Sequence, residues 1–230
     1  MTTAMDIMVI SAHPDDSEFG AAGTVSKWTQ AGKNVMYVVC TSGDKGTGDR
    51  NLTPGVLSKL REKEQMAAAE LLGVHEVIFL RYMDQSLEET PEFRKQIVRL
   101  IRIYRPEIIV TSDPYRRYIW HRDHRIAGQV VMDAVFPYAR DHLAYPDLLS
   151  EGIEPYRVGE LWFWGTEDIN HRSDITETFG LKLEALRCHE SQVKQFSNPS
   201  LEDRTRQRSK DMAEGETFEL AEAFHRVMLP

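Results

Sequence analysis

Two short stretches of this 230-residue chain hold its densest sets of metal-ligand side chains: His13-Pro14-Asp15-Asp16 and His121-Arg122-Asp123-His124. Adjacent carboxylates repel each other, and burial makes the repulsion worse. A positive partner is therefore expected beside Asp15 and Asp16. A divalent metal fits: catalytic zinc commonly takes two histidines and a carboxylate and keeps a position open for water. On this reading His13, Asp16 and His124 ligate the metal, Zn2+ first and Fe2+ as the alternative that accepts the same donors. Asp15 is then free to act as general base toward a water that the metal acidifies. His121 stands over the substrate, stabilising a developing oxyanion or protonating a leaving group. Asp123 orients an imidazole from behind. The bland reading of each stretch alone is an aspartate N-cap and two surface histidines.

Both stretches must be carried to one place if they are to act together. Apolar, β-branched runs predict strands over 6–10, 35–41, 76–80, 107–111 and 158–164. Helical patterns alternate with them over 18–30, from Thr53-Pro54 to Gly73, from Thr90-Pro91 to Arg105-Pro106, over about 123–136 and over 179–195. The segment 197–208 is polar and reads as a mobile tail, and 218–227 reads as one more helix. Alternation of this kind predicts an α/β fold, Rossmann-like and doubly wound, with a mostly parallel sheet between helix layers. No repeat or linker divides the chain, so 1–230 reads as one domain. A strand order 3-2-1-4-5 sets strands 1 and 4 side by side, with the crevice beyond their carboxyl ends. His13–Asp16 follows strand 1 and His121–His124 follows strand 4, so both face that crevice.

The bulk properties suit such an enzyme. Hydrophobic residues make up 41% and charged residues 28%, as in an ordinary globular domain. The net charge of −8 argues against a nucleic-acid or membrane-surface partner. The two cysteines, Cys40 and Cys188, read as buried thiols, and no secretory signal or membrane-length apolar run is present. A cytoplasmic location is the default expectation.

The motifs carry a resemblance. Ala12-His13-Pro14-Asp15-Asp16, extended by Glu18 and Gly20, and the H-x-D-H of His121, Asp123 and His124 resemble the LmbE-like, or PIG-L-like, zinc-dependent N-deacetylases. Arg61 and Glu64 match a looser R-x-x-E, and Ala185 to Gln192, with His189, match a late helix motif. The resemblance runs from about residue 6 to 192. It implies the same ligands and the same base as the spacing does, and adds Arg61 as a contact to substrate. It also implies hydrolysis of an N-acetyl amide, usually on a small amino sugar, by a homo-oligomer. Some members place an oxyanion-stabilising tyrosine two residues before the first histidine of H-x-D-H. Here Ile119 holds that position and Tyr118 precedes it.

Loop 43–51, Arg61 and 115–120 are expected to line the mouth, with Arg116, Arg117 and Arg122 as either anion contacts or solvated charges. Trp162 and Trp164 read as core, with sugar stacking as the alternative. Other classes remain at this stage. A non-haem iron oxygenase would use the same triad but favours antiparallel barrels. A phosphoesterase would want a second metal. A nucleotide-binding module would want G-x-G-x-x-G where the two aspartates stand. A binding protein that kept the metal site would have no use for Asp15.

Overall fold

The computed structural model describes residues 4–194 and 200–230. Its strands are β1 (Ile7–Ser11), β2 (Val35–Thr41), β3 (Glu76–Tyr82), β4 (Ile108–Ser112), β5 (Glu160–Trp164), β6 (His171–Asp174) and β7 (Ala221–Met228). The helices are α1 (Asp16–Gln30), α2 (Pro54–Leu71), α3 (Pro91–Tyr104), α4 (Arg122–Asp133), the short α5 (Pro146–Ser150), α6 (Phe179–Cys188), the single turn α7 (Glu190–Val193) and α8 (Leu201–Met212). The described residues form a seven-stranded sheet in the order β3-β2-β1-β4-β5-β7-β6. Strands β1 to β5 pair in parallel, and β7 runs antiparallel to β5 and β6. The expected switch point is present: β1 pairs with both β2 and β4.

Strand alternation splits the core in two. Met8, Ile10, Met36, Val38 and Cys40 face Phe93, Ile97 and Ile101 of α3 and Ala127, Val130 and Val131 of α4. Ile7, Val9, Val35 and Tyr37 face the alanines of α1, α2 and α6, including Ala21, Ala22, Ala68 and Ala185. Each fully buried Ile or Val contributes about 1.5–3 kcal/mol, so both faces hold the parallel strands firmly. Small side chains on the second face let the helices ride close to the sheet. Trp162 and Trp164 are buried there, as expected of core.

The helix starts follow their sequence signals. Thr53 accepts from the Val56 amide and Thr90 from the Phe93 amide, each just before a proline. Gly128 lets α4 press against the end of β4, because a Cβ there would sit 2.3 Å from the Ser112 carbonyl oxygen.

Four expectations need correction. Segment 218–227 gives strand β7, not a helix. Its Ala and Glu favour a helix, but pairing to both β5 and β6 outweighs propensity. The polar segment contains α8, opened by a capping box in which Ser200 and Asp203 satisfy each other's backbone amides; 197–199 lie outside the described residues. The helix predicted over 179–195 breaks at His189 into α6 and α7, and 195 is outside the described residues. Cys188 is only half-buried.

Candidate metal centre

The end of β1 and the start of α4 bring three ligand atoms together. His13 Nδ1 lies 3.2 Å from His124 Nε2 and 3.3 Å from Asp16 Oδ2. His124 Nε2 lies 3.0 Å from Asp16 Oδ1. Ligand atoms bound at zinc distances in a tetrahedral site stand roughly 3.4 Å apart. Two imidazole nitrogens and a carboxylate oxygen in this spacing fit a divalent ion, and their chemistry suits zinc or iron(II). The His13 amide donates to Asp16 Oδ2 (2.8 Å), which fixes that carboxylate. Ser112 Oγ donates to the His124 carbonyl oxygen (2.8 Å), tying α4 to β4. The His121 ring completes the group, centred 4.6 Å from His13, with nitrogens of all three histidines within 4.8 Å of one another.

The far side of His13 is held by two carboxylates. Its Nε2 lies 3.1 Å from Asp84 Oδ1 and 3.4 Å from Asp123 Oδ2. Asp123 is itself pinned by the amides of Gln85 (2.6 Å) and Leu87 (3.3 Å). The histidine that Asp123 lies against is His13. Asp84, at the end of β3, was not anticipated: an isolated aspartate with no histidine nearby in sequence gives no cluster signal. Its one sequence mark is its place just past a strand's carboxyl end.

Asp15 is held apart from this group. It sits at φ 96°, in the left-handed region, at the cap of α1. Its amide donates to Gln65 Oε1 (3.0 Å), and Gln65 Nε2 donates to Glu18 Oε1 (2.9 Å). The other Glu18 oxygen lies 3.1 Å from His189 Nε2. Glu18, Gln65 and His189 are fully buried. Arg61 closes the other side: Nη1 donates to the Gly43 carbonyl (3.0 Å), and Nη2 donates to the Pro14 carbonyl (2.5 Å) and lies 3.2 Å from Asp15 Oδ1. Gly43, at φ +59°, must be glycine, because a Cβ would fall 2.3 Å from Arg61 Nη1.

These surroundings divide the two aspartates. Burial pushes Asp15 up to about 6, against the pull of Arg61, with the charge of Asp16 adding to the rise. Burial also acts on Asp16, but His124 and His13 outweigh it and hold Asp16 well below the carboxylate range. Burial works to lower His13, yet Asp16, Asp123 and Asp84 hold it well above the usual imidazole value. His121 is lowered by burial and by its histidine neighbours. Adjacent carboxylates with pKa values pushed apart can serve as a ligand and a base.

Other expected residues are not part of this cluster. Tyr118 and Ile119 are more than 90% exposed. Arg117 pairs with Glu167, and Arg122 with Glu88, both at the surface. Arg116 stacks on Trp120 at 4.4 Å, and the Trp120 ring lies 4.5 Å from that of His124.

Comparison with known proteins identifies the family and the fold. Residues 8–135 match the family model "PIG-L: GlcNAc-PI de-N-acetylase". A diacetylchitobiose deacetylase of Thermococcus kodakarensis is 37% identical over 81% of this chain and 69% of its own. A probable N-acetyl-alpha-D-glucosaminyl L-malate deacetylase 2 of Bacillus anthracis is 28% identical over 84% and 83%. The structure of N,N'-diacetylchitobiose deacetylase from Pyrococcus horikoshii, in complex with its inhibitor MPG, superposes with a TM-score of 0.93 at 30% identity, covering 98% of this chain and 84% of that one.

Proposed function

This chain belongs to the PIG-L, or GlcNAc-PI de-N-acetylase, family, and from that premise we propose that it hydrolyses the N-acetyl amide of a small amino sugar, releasing acetate and a free amine. The observation that carries the reading is the convergence of His13 Nδ1, Asp16 and His124 Nε2 beside a separately held Asp15.

Each residue takes one part. His13, Asp16 and His124 hold the metal, with zinc as the native ion and iron(II) as the alternative. Bound there, the metal supplies Lewis-acid polarisation of the amide carbonyl and acidifies water. Asp15 takes the proton from the attacking water and passes it toward the departing amine. Its strained backbone is fixed by Gln65, and its carboxylate is drawn toward the ionised form by Arg61. Arg61 itself is buried, so any contact it makes with substrate comes from the floor beside Asp15. His121 stabilises charge on the carbonyl oxygen or protonates the leaving nitrogen. Asp123 and Asp84 hold the His13 ring by its Nε2 side, which leaves Nδ1 toward Asp16 and His124, where a metal would be held.

The chain is read as one domain working as a homo-oligomer on a small N-acetylated substrate in the cytoplasm. Among the described residues no helix is long and apolar enough to cross a membrane. The test is amine release from N-acetylglucosamine, diacetylchitobiose, a GlcNAc-malate and a GlcNAc-inositol, paired with metal analysis. One metal per chain and chelator-sensitive release are expected. Absence of metal after reconstitution would remove the reading.

A further inference from the structure

We propose that the cavity between α8 and the carboxyl end of β5 binds a small oxyanion, a phosphate or a carboxylate, clamped by Arg116 and Arg208. The cavity encloses about 360 Å³, within the range of small-molecule sites. Phe19, Leu201 and Met212 give it apolar walls, which strengthen any charge interaction inside.

Its charges do not balance. Arg116, Lys182, Arg204 and Arg208 line it, against the carboxylates Glu167 and Glu222. Both carboxylates are engaged elsewhere. Glu222 Oε1 accepts from Lys182 Nζ (2.6 Å) and the Gly23 amide (2.9 Å), and Oε2 accepts from the amide and hydroxyl of Thr24 (2.8 and 2.6 Å). Glu167 pairs with Arg117, which is not a lining residue. Lys182 is thus matched by Glu222. Arg116 rests on the Trp120 face and faces no carboxylate partner within bonding distance among the described residues. Arg208 has neither a hydrogen bond nor an ion pair among them. Arg116 and Arg208 line the same cavity; burial and the like charge of Arg116 lower the Arg208 pKa, against the pull of Glu222. A chain of net charge −8 has brought the half-buried Arg116 and the exposed Arg208, neither in an ion pair among the described residues, to the lining of one open cavity. Guanidinium forks bind phosphate and carboxylate in bidentate fashion.

The cavity adjoins the metal-ligand cluster, since Trp120 touches both Arg116 and His124. The anion is therefore either a charged end of the substrate or a separate small molecule. The site itself does not depend on which reaction is catalysed.

Inorganic phosphate is the probe, titrated calorimetrically into the metal-loaded full chain. Binding is expected in the wild type and about tenfold weaker in Arg208→Gln and in Arg116→Gln, with Arg208→Lys restoring part of it. Metal content and melting temperature without phosphate identify a variant that fails to fold, and the other variant then carries the test. Equal binding by all chains would mean that phosphate meets only the metal, and overturns the proposal. So does absence of binding up to tens of millimolar. Competition against an uncharged N-acetylated sugar separates the sources: competitive inhibition assigns the cavity to an anionic end of the substrate, and independent binding assigns it to a second molecule.

Discussion

Two buried charge clusters flank α1, and they are built on opposite terms. At its start, His13, Asp15 and Asp16 gather with His124 and Arg61. Along its length, Gly23 and Thr24 offer amides to Glu222, which Lys182 neutralises at 2.6 Å. The second cluster is complete in itself: the cation is a lysine, fixed by carbonyls of Glu18 and Phe19 as well. The first leaves three lone-pair donors facing one another for an ion to join. A permanent joint carries its own countercharge. A reaction centre leaves that place to an exchangeable ion, because an amino-group cation could neither polarise a carbonyl as a metal does nor hold an open coordination position.

The largest effect that tests this contrast is metal removal. Chelation, or His124→Ala, should abolish turnover while far-UV circular dichroism stays native, and zinc should restore only the chelated wild type. Loss of secondary structure on chelation would make the first cluster structural too and end the comparison. Next, Asp15→Ala should lower kcat by about 10²–10⁴-fold with metal stoichiometry unchanged; normal turnover in that variant removes Asp15 as the base. The converse variant is Lys182→Ala. It strands Glu222 in the interior and should cost about 3–5 kcal/mol, a drop in Tm of roughly 6–20 °C, measured by calorimetry, with metal content per folded chain unchanged. The smallest effect is Thr53→Ala. Loss of the α2 cap should cost about 1 kcal/mol and leave kcat as it was, which calibrates how far stability and turnover separate.

The first cluster was the more legible of the two. His-Pro-Asp-Asp and His-x-Asp-His each lie within four residues, and parallel strands with strong apolar runs place them by a simple order rule. What lay outside the sequence signal was assembled from distant single residues. Asp84 comes from the end of β3, Gln65 from the middle of α2, and His189 from the break between α6 and α7. Asp84 has no neighbour in sequence that marks its role, and the looser motifs around Gln65 and His189 name no partner for either. The second cluster is hidden for the same reason, and also because the composition of β7 suits a helix. Glu222 alternates with Ala221 and Ala223 in a run that either period would tolerate, and only pairing with β5 and β6 decides between them. The order of β1 to β5 is readable because a helix stands between each of these strands and the next. The antiparallel edge has no such punctuation.

The placement of β7 has a consequence for biosynthesis. It lies between β5 and β6 in the sheet, yet follows both in the chain. A ribosome delivers residues in order, so β1 to β5 can assemble while β6 still lacks the strand on which it pairs. Until β7 emerges, β5 keeps one raw edge, and Lys182 has no Glu222 to meet. Nascent chains stalled before residue 221 should accordingly be captured by chaperones that recognise open strands, and released once synthesis passes 228.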